Sequence, residues 1–243
     1  MSQYWTAIQV LTQTAGELGL PRPTTVTGLT DVQSIQLLAM LNSAGNELQL
    51  YYPWEQFLKE LTFTTVIGQE EYALPDDLAY FTDQTQWDRT NHWPLLGPKS
   101  AQEWAWLKGA LVAALPRQRY RIMNNKLMIW PKAGVVANMA MEYVKKNWVL
   151  DVTSSVETDM IAHDGDQLLY NPWLLVKFVK FKFMELKGLP SKGAQSDFMR
   201  IFNSLTGKDT GGKILSLAPT VTSPYLGPWS VQDGSWNVGT GSG

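Results

Sequence analysis

The chain contains no cysteine and only two histidines, His92 and His163, among its 243 residues. The absence of cysteine excludes a disulfide-stabilised scaffold, thiol catalysis and every zinc or iron–sulfur site that uses thiolate ligands. Two histidines leave little material for a metal cage built from imidazoles. The sequence therefore predicts no cofactor and no resident metal.

Charged residues are also scarce. They make up 17% of the chain, whereas about 25% is typical of globular proteins. The net charge of −2 excludes a broadly basic nucleic-acid binder but leaves room for a local basic patch. The chain has neither a long apolar run nor a secretory leader, so we expect no membrane segment and synthesis in a cytosol-like compartment. Few charges beside an ordinary apolar content suggest that partners cover much of the surface.

Tryptophan is present in excess, with 11 residues in the chain, about three times the usual frequency. Its side chain is rigid and amphipathic, and it is enriched at the hot spots of protein interfaces. We expect about half of the tryptophans to fill the core. The others are expected to contact partners.

Apolar periodicity predicts helices near both ends of the chain and strands in the middle. A Ser100–Glu103 capping box predicts a short helix between strands. The remaining predicted elements are helices over 3–18, about 30–51, 172–187 and 192–206, and strands over 61–67, 71–74, 79–88, 118–123, 126–130 and 138–145.

This order of elements predicts an α+β fold, in which N- and C-terminal helices form one bundle and an antiparallel β domain is inserted between them. The last residues, with few branched aliphatics, predict an extended C-terminal arm. The predicted bounds are 1–60 and 165–207 for the helices, 61–164 for the inserted domain and 208–243 for the arm.

The two helical segments have opposite charge. Residues 1–60 carry 2 basic and 5 acidic residues, whereas residues 165–207 carry 6 basic and 3 acidic residues. The segments are therefore complementary, either within one chain or between neighbouring chains. Lys177, Lys180 and Lys187 fall within about 80° of one another on the predicted helix. They form either a solvated or ion-paired face, which we favour, or a face that contacts DNA phosphates.

A second set of cations alternates along a strand. Arg117, Arg119 and Arg121 point to one face of the sheet if residues 118–123 are extended. They could contact phosphates or carboxylates. An exposed strand face with acidic neighbours is the simpler interpretation, and we favour it.

Catalytic motifs are missing, and we predict that the chain is not an enzyme. The only concentration of metal-type ligands is a cluster of five residues, which we interpret as a solvated acidic loop that caps the following helix, with a divalent cation site as the alternative. Asp76 and Asp77 are adjacent, so they point apart and are expected to form a turn rather than a glycosidase pair. The five clustered residues are Glu157, Asp159, His163, Asp164 and Asp166.

The C-terminal stretch 214–243 carries a single charge and many glycine, proline, serine and threonine residues. It cannot form a core alone, yet Tyr225, Trp229 and Trp236 are spaced along it. We expect an arm that orders on a neighbouring chain or partner, with these aromatics as anchors. The alternative is a flexible tail with incidental aromatics.

Several short motifs occur in an order that resembles the head-to-tail adaptor proteins of tailed phages. The first is Tyr72-Ala-Leu-Pro-Asp-Asp77, and the second is the pair of strands Tyr120-Arg-Ile122 and Leu127-Met-Ile-Trp-Pro131. A strand containing Met141-Glu-Tyr143, an acidic stretch at Glu157-Thr-Asp159 and a helix that ends in Lys187-Gly-Leu-Pro190 follow. The resemblance spans roughly residues 1–207.

The resemblance implies a structural virion protein of the phage neck. Members of this family form a ring, usually of twelve copies, that docks beneath the portal, extends the DNA channel and gives the tail its attachment surface. The implied partners are other copies of the chain, the portal, a tail or nozzle protein and double-stranded DNA bound without sequence specificity. A tryptophan-rich carbohydrate-binding module, or another tail-associated binding module, is the alternative, although a carbohydrate module would normally be mostly β.

Overall fold

The computed structural model describes residues 4–109 and 117–209. Within these ranges the chain forms five α-helices, a 3₁₀ turn at Glu55–Phe57 and eleven short strands. The helices are α1 (Ala7–Leu18), α2 (Val32–Tyr51), α3 (Ala101–Gly109), α4 (Pro172–Leu186) and α5 (Lys192–Asp209). The strands are β1 (Leu58–Thr64), β2 (Glu71–Ala73), β3 (Leu78–Phe81), β4 (Trp87–Asp88), β5 (Trp93–Pro94), β6 (Arg119–Met123), β7 (Lys126–Trp130), β8 (Asn138–Lys145), β9 (Val149–Leu150), β10 (Glu157–Thr158) and β11 (Gln167–Leu168).

The chain divides into two compact units. The first, here called the helical unit, takes its described residues from Met1–Lys59, Asp76–Phe81 and Tyr143–Lys213. The second, here called the β unit, takes them from Glu60–Pro75 and Thr82–Glu142. Helices and antiparallel sheets thus occur together, and the predicted α+β fold class is confirmed. The predicted arm over 208–243 lies almost entirely outside the described residues.

Helix α4 is the centre of the helical unit. It packs against α1, α2 and α5, which explains why apolar residues occupy nearly every side of it. Its start follows the sequence signal, because the side chain of Asn171 accepts a hydrogen bond from Trp173 N and Pro172 occupies the first turn. Gly188 adopts a left-handed φ of 66° directly after the helix, as expected of a C-terminal glycine.

The first two helices begin slightly later than predicted, each because of a local cap. In α1, Thr6 precedes the helix and its amide donates to Oε1 of Gln9 at 3.0 Å. In α2, Asp31 rather than Thr30 is the N-cap, since its carboxylate accepts hydrogen bonds from both the amide and the hydroxyl of Ser34.

Amide side chains of α2 bind backbone groups of the same chain. Gln49 is buried and its Nε2 donates to the carbonyl oxygens of Lys145 and Lys146. The side-chain oxygen of Asn42 accepts the amide of Ile161 at 3.0 Å. Uncharged amides stand where Lys or Glu would be usual because they satisfy buried backbone groups. These contacts explain why Gln49 and Asn42 are uncharged.

Trp148 fills the space beside α2. The residue is fully buried, and its indole Nε1 donates to Oδ1 of Asn46 at 2.9 Å and to the carbonyl of Asp159 at 3.0 Å. Its six-membered ring lies against Gly45, where a Cβ atom would come within 2.3 Å of two ring carbons. The absence of a side chain at Gly45 therefore admits the indole.

The remaining strands of the helical unit are short. Strand β9 pairs antiparallel with both β10 and β11. Strand β3 pairs antiparallel with residues 143–145 of β8. Together they place the segment that follows β8 against the helices whose amides bind it.

The β unit contains two antiparallel arrangements. Strands β1, β8, β4 and β5 lie in this order in one sheet, and β2, β7 and β6 form another. The β6–β7 hairpin is confirmed with its predicted turn, in which Asn124 and Asn125 have φ values of 53° and 54°. The capping box of α3 is also confirmed, since Ser100 and Glu103 exchange hydrogen bonds between side chain and amide.

Two strand predictions are wrong. Gly68, between the predicted strands 61–67 and 71–74, favours a turn that would pair them, but β1 ends at Thr64 and β2 pairs with β7 instead. Residues 79–88 are not one strand, because the chain turns at Gln84, whose φ is 64°, and separates β3 from β4. The first error concerns which distant segment a strand meets, and the second concerns a local turn.

Candidate functional site

The lysines of α4 meet the acidic side of α1. Nζ of Lys177 lies 2.7 Å from the carboxylate of Glu17, and Nζ of Lys180 lies 3.0 Å from the same group. All three side chains are at most about a quarter exposed, at 20%, 24% and 17%. The predicted complementarity between the acidic and basic helices is therefore realised within one chain.

Two cations around one carboxylate alter its acidity. Burial opposes the ionisation of Glu17, but the hydrogen bonds and charges of Lys177 and Lys180 outweigh it, so the pKa of Glu17 lies below its usual value. The cluster keeps one positive charge in excess. Lys187 differs, since it is exposed and its Nζ donates to the neutral amide oxygen of Gln36 at 2.9 Å.

Sequence reasoning missed two members of this interface. Glu17 gave no local signal, because its partners lie 160 residues or more further along the chain. Lys182 was not among the lysines predicted to share a face, yet it forms an ion pair with Glu47 of α2 and donates to Ser43 at 2.9 Å. The spacing of charges within α4 could not show which acidic residue each lysine meets.

Arg119 and Arg121 lie on one face of β6, as predicted from their alternation, whereas Arg117 precedes the strand. Arg119 and Arg121 are partly exposed, and they are opposite Trp130 and Met128 of β7. Within the described ranges, no acidic side chain forms an ion pair with Arg121. Arg121 therefore lies on a partly exposed strand face without a direct ion pair among these residues.

The acidic loop over residues 157–166 is held by hydrogen bonds rather than freely solvated. Asp166 is completely buried, and its carboxylate accepts the amides of Val152 at 3.2 Å and of Ala162 and His163 at 2.8 Å each. Ligand-type atoms of Asp151, His163 and Asp166 lie within 4.8 Å of one another. The backbone amides already explain why a carboxylate is buried there.

The same loop does not cap the helix that follows it, because that role belongs to Asn171. Oδ1 of Asp164 instead accepts hydrogen bonds from the amide of Val26 and from the hydroxyl of Thr25. The hydrogen bond from Val26 is the main reason that the pKa of Asp164 lies below its usual value. Hydrogen bonds of Asp164 therefore hold residues 25–27 against the loop that connects β10 and β11.

Asp76 and Asp77 lie in a turn, as predicted. The carboxylate of Asp77 accepts a hydrogen bond from the hydroxyl of Tyr143 at 2.9 Å and pairs with Lys59 at 2.7 Å. Burial, reinforced by this hydrogen bond and the negative charge, raises the pKa of Tyr143 to about 12. The carboxylate is thus engaged in a structural network.

A groove of about 570 Å³ opens on the β unit. Trp87 lies in it with 39% of its surface exposed, opposite the small side chain of Ala140. The groove was not predicted, since its residues come from separate strands and loops. Its lining comprises Glu60, Gln84, Thr85, Trp87, Asp88, Arg89, His92, Ala140 and Glu142.

The predicted aromatic anchors Tyr225, Trp229 and Trp236 lie outside the described residues. Among the described helices, none is both long enough and apolar enough to cross a membrane. The structure thus brings Lys177 and Lys180 together on one carboxylate and leaves Lys187 apart from them.

The comparison with curated protein sequences gave no match. The comparison with family models matched the SU10 adaptor protein model over residues 5–220. The match covers both units and agrees with the order of motifs from Tyr72 to Pro190. The chain therefore belongs to the SU10 adaptor protein family, a family of phage head-to-tail adaptors.

Proposed function

We propose that the chain is a non-enzymatic ring subunit of the phage neck that docks beneath the portal, extends the DNA channel and provides the attachment surface for the tail. The observation that carries this proposal is the family match over residues 5–220. The ring, usually of twelve copies in this family, would assemble in the host cytoplasm and become part of the virion.

The exposed apolar surface supports an assembled state. Large apolar side chains that are at least two-fifths exposed occur on both units, beside a charged content of only 17%. Where such side chains form a contiguous patch, a partner typically covers it. On the helical unit they include Val32, Ile35, Leu50, Tyr51 and Leu186, and on the β unit Val66, Ile67, Trp106, Val135 and Val136.

The ring is tested by mass photometry and negative-stain imaging of the purified chain, alone and with assembled portal. We expect closed rings in at least one of these conditions, with the portal attached to one side. Monomers both alone and beside the portal would contradict the proposal. A sugar array serves as the test of the carbohydrate-binding alternative, and we expect no specific binding to it.

For DNA contact we propose the lysine face of α4, with Lys187 as its main contributor. Lys177 and Lys180 share Glu17, whereas Lys187 is exposed and has no carboxylate partner among the described residues. In a ring, even one such lysine per copy becomes a belt of about twelve charges, which attracts phosphates of any sequence.

The test replaces Lys187 by Glu and uses Lys192→Glu as the matched control, because Lys192 is also exposed and lies just beyond the same turn. We expect Lys187→Glu to spare ring assembly but to reduce DNA retention or ejection in assembled particles. Lys177→Gln and Lys180→Gln together test the remaining charges without placing an acid beside Glu17. If all these variants package and eject DNA normally, the lysines serve only to hold the helices together.

We further propose that residues 214–243 are an arm that binds a neighbouring chain, the portal or the tail partner. One charge in thirty residues and three spaced aromatics support this proposal. Truncating a central tryptophan anchor typically costs about 2–4 kcal/mol of binding free energy. Deletion of 214–243 should leave the melting temperature nearly unchanged while weakening attachment, and Trp229→Ala with Trp236→Ala should weaken it in part. Attachment at full affinity without the segment would contradict the arm.

A further inference from the structure

The groove on the β unit presents an aromatic face beside carboxylates. Trp87 is opposite Ala140 on β8, and Glu142 lies two residues beyond Ala140 on the same strand. The side chains of Trp87 and Glu142 therefore point to the same sheet face. Among the described residues, no cation pairs with the carboxylate of Glu142. A tryptophan with an available carboxylate beside it is suited to a cation, above all to a planar guanidinium.

The other charges of the groove favour the same occupant. Glu60 forms an ion pair with Arg89, and the carboxylate of Asp88 accepts the amides of Thr90 and Asn91 at 2.9 Å each. Three carboxylates therefore face one guanidinium in the lining, with a net charge of −2 when His92 is neutral.

Two loop residues bound the groove in a conformation that costs free energy. Gln84 and His92 have φ values of 64° and 56°, in the left-handed region that residues other than glycine seldom adopt. Such conformations persist where the surrounding structure holds them, and they are enriched at binding sites. Gln84 lies just before β4, which carries Trp87, and His92 lies in the turn between β4 and β5.

A complementary surface lies on the β6–β7 hairpin of the same unit. Among the residues that the structure describes, Arg121 has no acidic ion-pair partner, whereas Lys108 and Lys126 of this unit pair with Glu70 and Glu71. The hairpin tip after Arg121 is exposed throughout residues 122–126, and its Ile122 and Met123 side chains are 40% and 44% exposed. A cation flanked by exposed apolar side chains is typical of an interface anchor.

We propose that the hairpin tip of one copy docks into the groove of the next copy, with the Arg121 guanidinium over Trp87 and paired with Glu142. This inference rests on the proposed ring. In the proposed ring each copy gives its hairpin to one neighbour and its groove to the other, so the contact is heterologous, and repeated heterologous contacts close into a ring when the rotation allows it. Met123 lies two residues further along β6, on the same strand face as Arg121, and adds apolar area beside the ion pair.

A charge-swap cycle tests the contact in the full chain. Arg121→Glu and Glu142→Arg are made singly and together, and subunit association is measured by mass photometry across a concentration series. Each single reversal should raise the dissociation constant between subunits at least about tenfold, and the double swap should recover most of that loss. Trp87→Ala should weaken association as well. Circular dichroism spectra and melting temperatures verify that every variant is folded.

Lys132→Glu is the matched control, since Lys132 also lacks an ion-pair partner in the described β unit but lies at another cavity. It should leave association unchanged. If the wild type forms rings and Arg121→Glu forms them equally well, this contact alone is overturned. The same holds if the double swap associates no more tightly than the single variants. Intact rings with reduced DNA retention in Arg121→Glu would assign the arginine to nucleic acid instead. A wild-type chain that stays monomeric, even with portal, would overturn both the proposed function and this contact.

Discussion

Replacing Gly45 by alanine tests the closest packing contact in the helical unit. In the native structure an added Cβ would lie 2.3 Å from Cε2 and Cζ2 of Trp148 and 2.5 Å from its Cη2. Ordinary carbon contacts are about 3.5–4.0 Å, so the indole or α2 must move by more than about 1 Å. The indole Nε1 donates at 2.9 Å to Asn46, and a shift of that size removes this hydrogen bond.

The expected free-energy change combines three contributions. Overpacking a core costs about 1–3 kcal/mol, and a buried donor without its partner costs about 1–3 kcal/mol. Alanine regains about 1 kcal/mol through its higher helix propensity. Gly45→Ala should therefore lower the free energy of unfolding by about 1–5 kcal/mol, although alanine is the better helix former.

Urea unfolding followed by far-ultraviolet circular dichroism measures this change, because most of the helical signal comes from the unit that contains Gly45. Gly16→Ala and Gly207→Ala are matched controls. A Cβ at Gly16 meets only the flexible end of Arg22, at 3.4 Å or more, and one at Gly207 meets nothing within 4 Å. Both controls should be neutral or stabilising by up to about 1 kcal/mol.

A compensating variant sharpens the test. Trp148→Phe removes the ring that a Cβ at Gly45 would strike, so Gly45→Ala should cost less in the Trp148→Phe background than in the wild type. Gly45→Ala at wild-type stability or above would refute the packing argument. Equal costs in both backgrounds would show that the loss arises elsewhere.

Three further outcomes follow from the described contacts. Because folding lowers the pKa of Glu17, its ion pairs stabilise the fold above the ordinary pKa of 4.5, and this stabilisation is lost as the pH falls through the lower pKa of the folded state. Glu17→Gln should thus lower the melting temperature at pH 7, and its melting temperature should converge with that of the wild type at acidic pH. Melting temperatures that differ by the same amount at every pH would contradict this. Lys145 is 7% exposed and pairs with Glu157 at 2.5 Å. Glu157→Gln should lower the free energy of unfolding, measured in urea, by about 3–5 kcal/mol, because it leaves a buried ammonium without its carboxylate. Lys145→Met should lower it less. Addition of EDTA should leave the melting temperature unchanged, whereas a shift of several degrees would assign a cation to the carboxylates around His163.

Local signals predicted the helices and the hairpin well. Pro172 and Gly188 bracket α4, and Asn124-Asn125 supplies the two left-handed residues that the β6–β7 turn requires. These features depend on residues within one or two turns of the chain. Their success explains why the order of motifs, and hence the family, could be recognised from the sequence.

Contacts between distant segments could not be predicted in the same way. The pairing of β2 with β7 depends on strands more than fifty residues apart, and nothing in residues 71–74 distinguishes that partner from β1. Likewise, the burial of Asp166 depends on amides supplied by other turns of its loop and by Val152. A solvated carboxylate was predicted at this position because the amino-acid sequence does not show how many backbone amides surround Asp166.

The candidate site was predicted in part for the same reason. The positions of Lys177 and Lys180 on one helix face followed from helical spacing, but their shared partner Glu17 did not. Trp87 and Glu142 become neighbours only through the pairing of β4 with β8. The tryptophan excess indicated that some indoles would be exposed, without indicating which ones.

The long sequence separations in the helical unit constrain how the chain folds during synthesis. The amide groups of α2 bind residues about 100 positions later, and Glu17 meets Lys177 after 160 positions. At about 5–20 residues per second, a ribosome needs roughly 8–30 s to make the segment between these charges. Helices α1 and α2 therefore wait with their apolar and amide faces unsatisfied while the whole β unit is made, and that unit can fold first. The packing of α1 and α2 is then completed last, once α4 has been synthesised. Until that point a nascent subunit is most exposed to premature association with another chain.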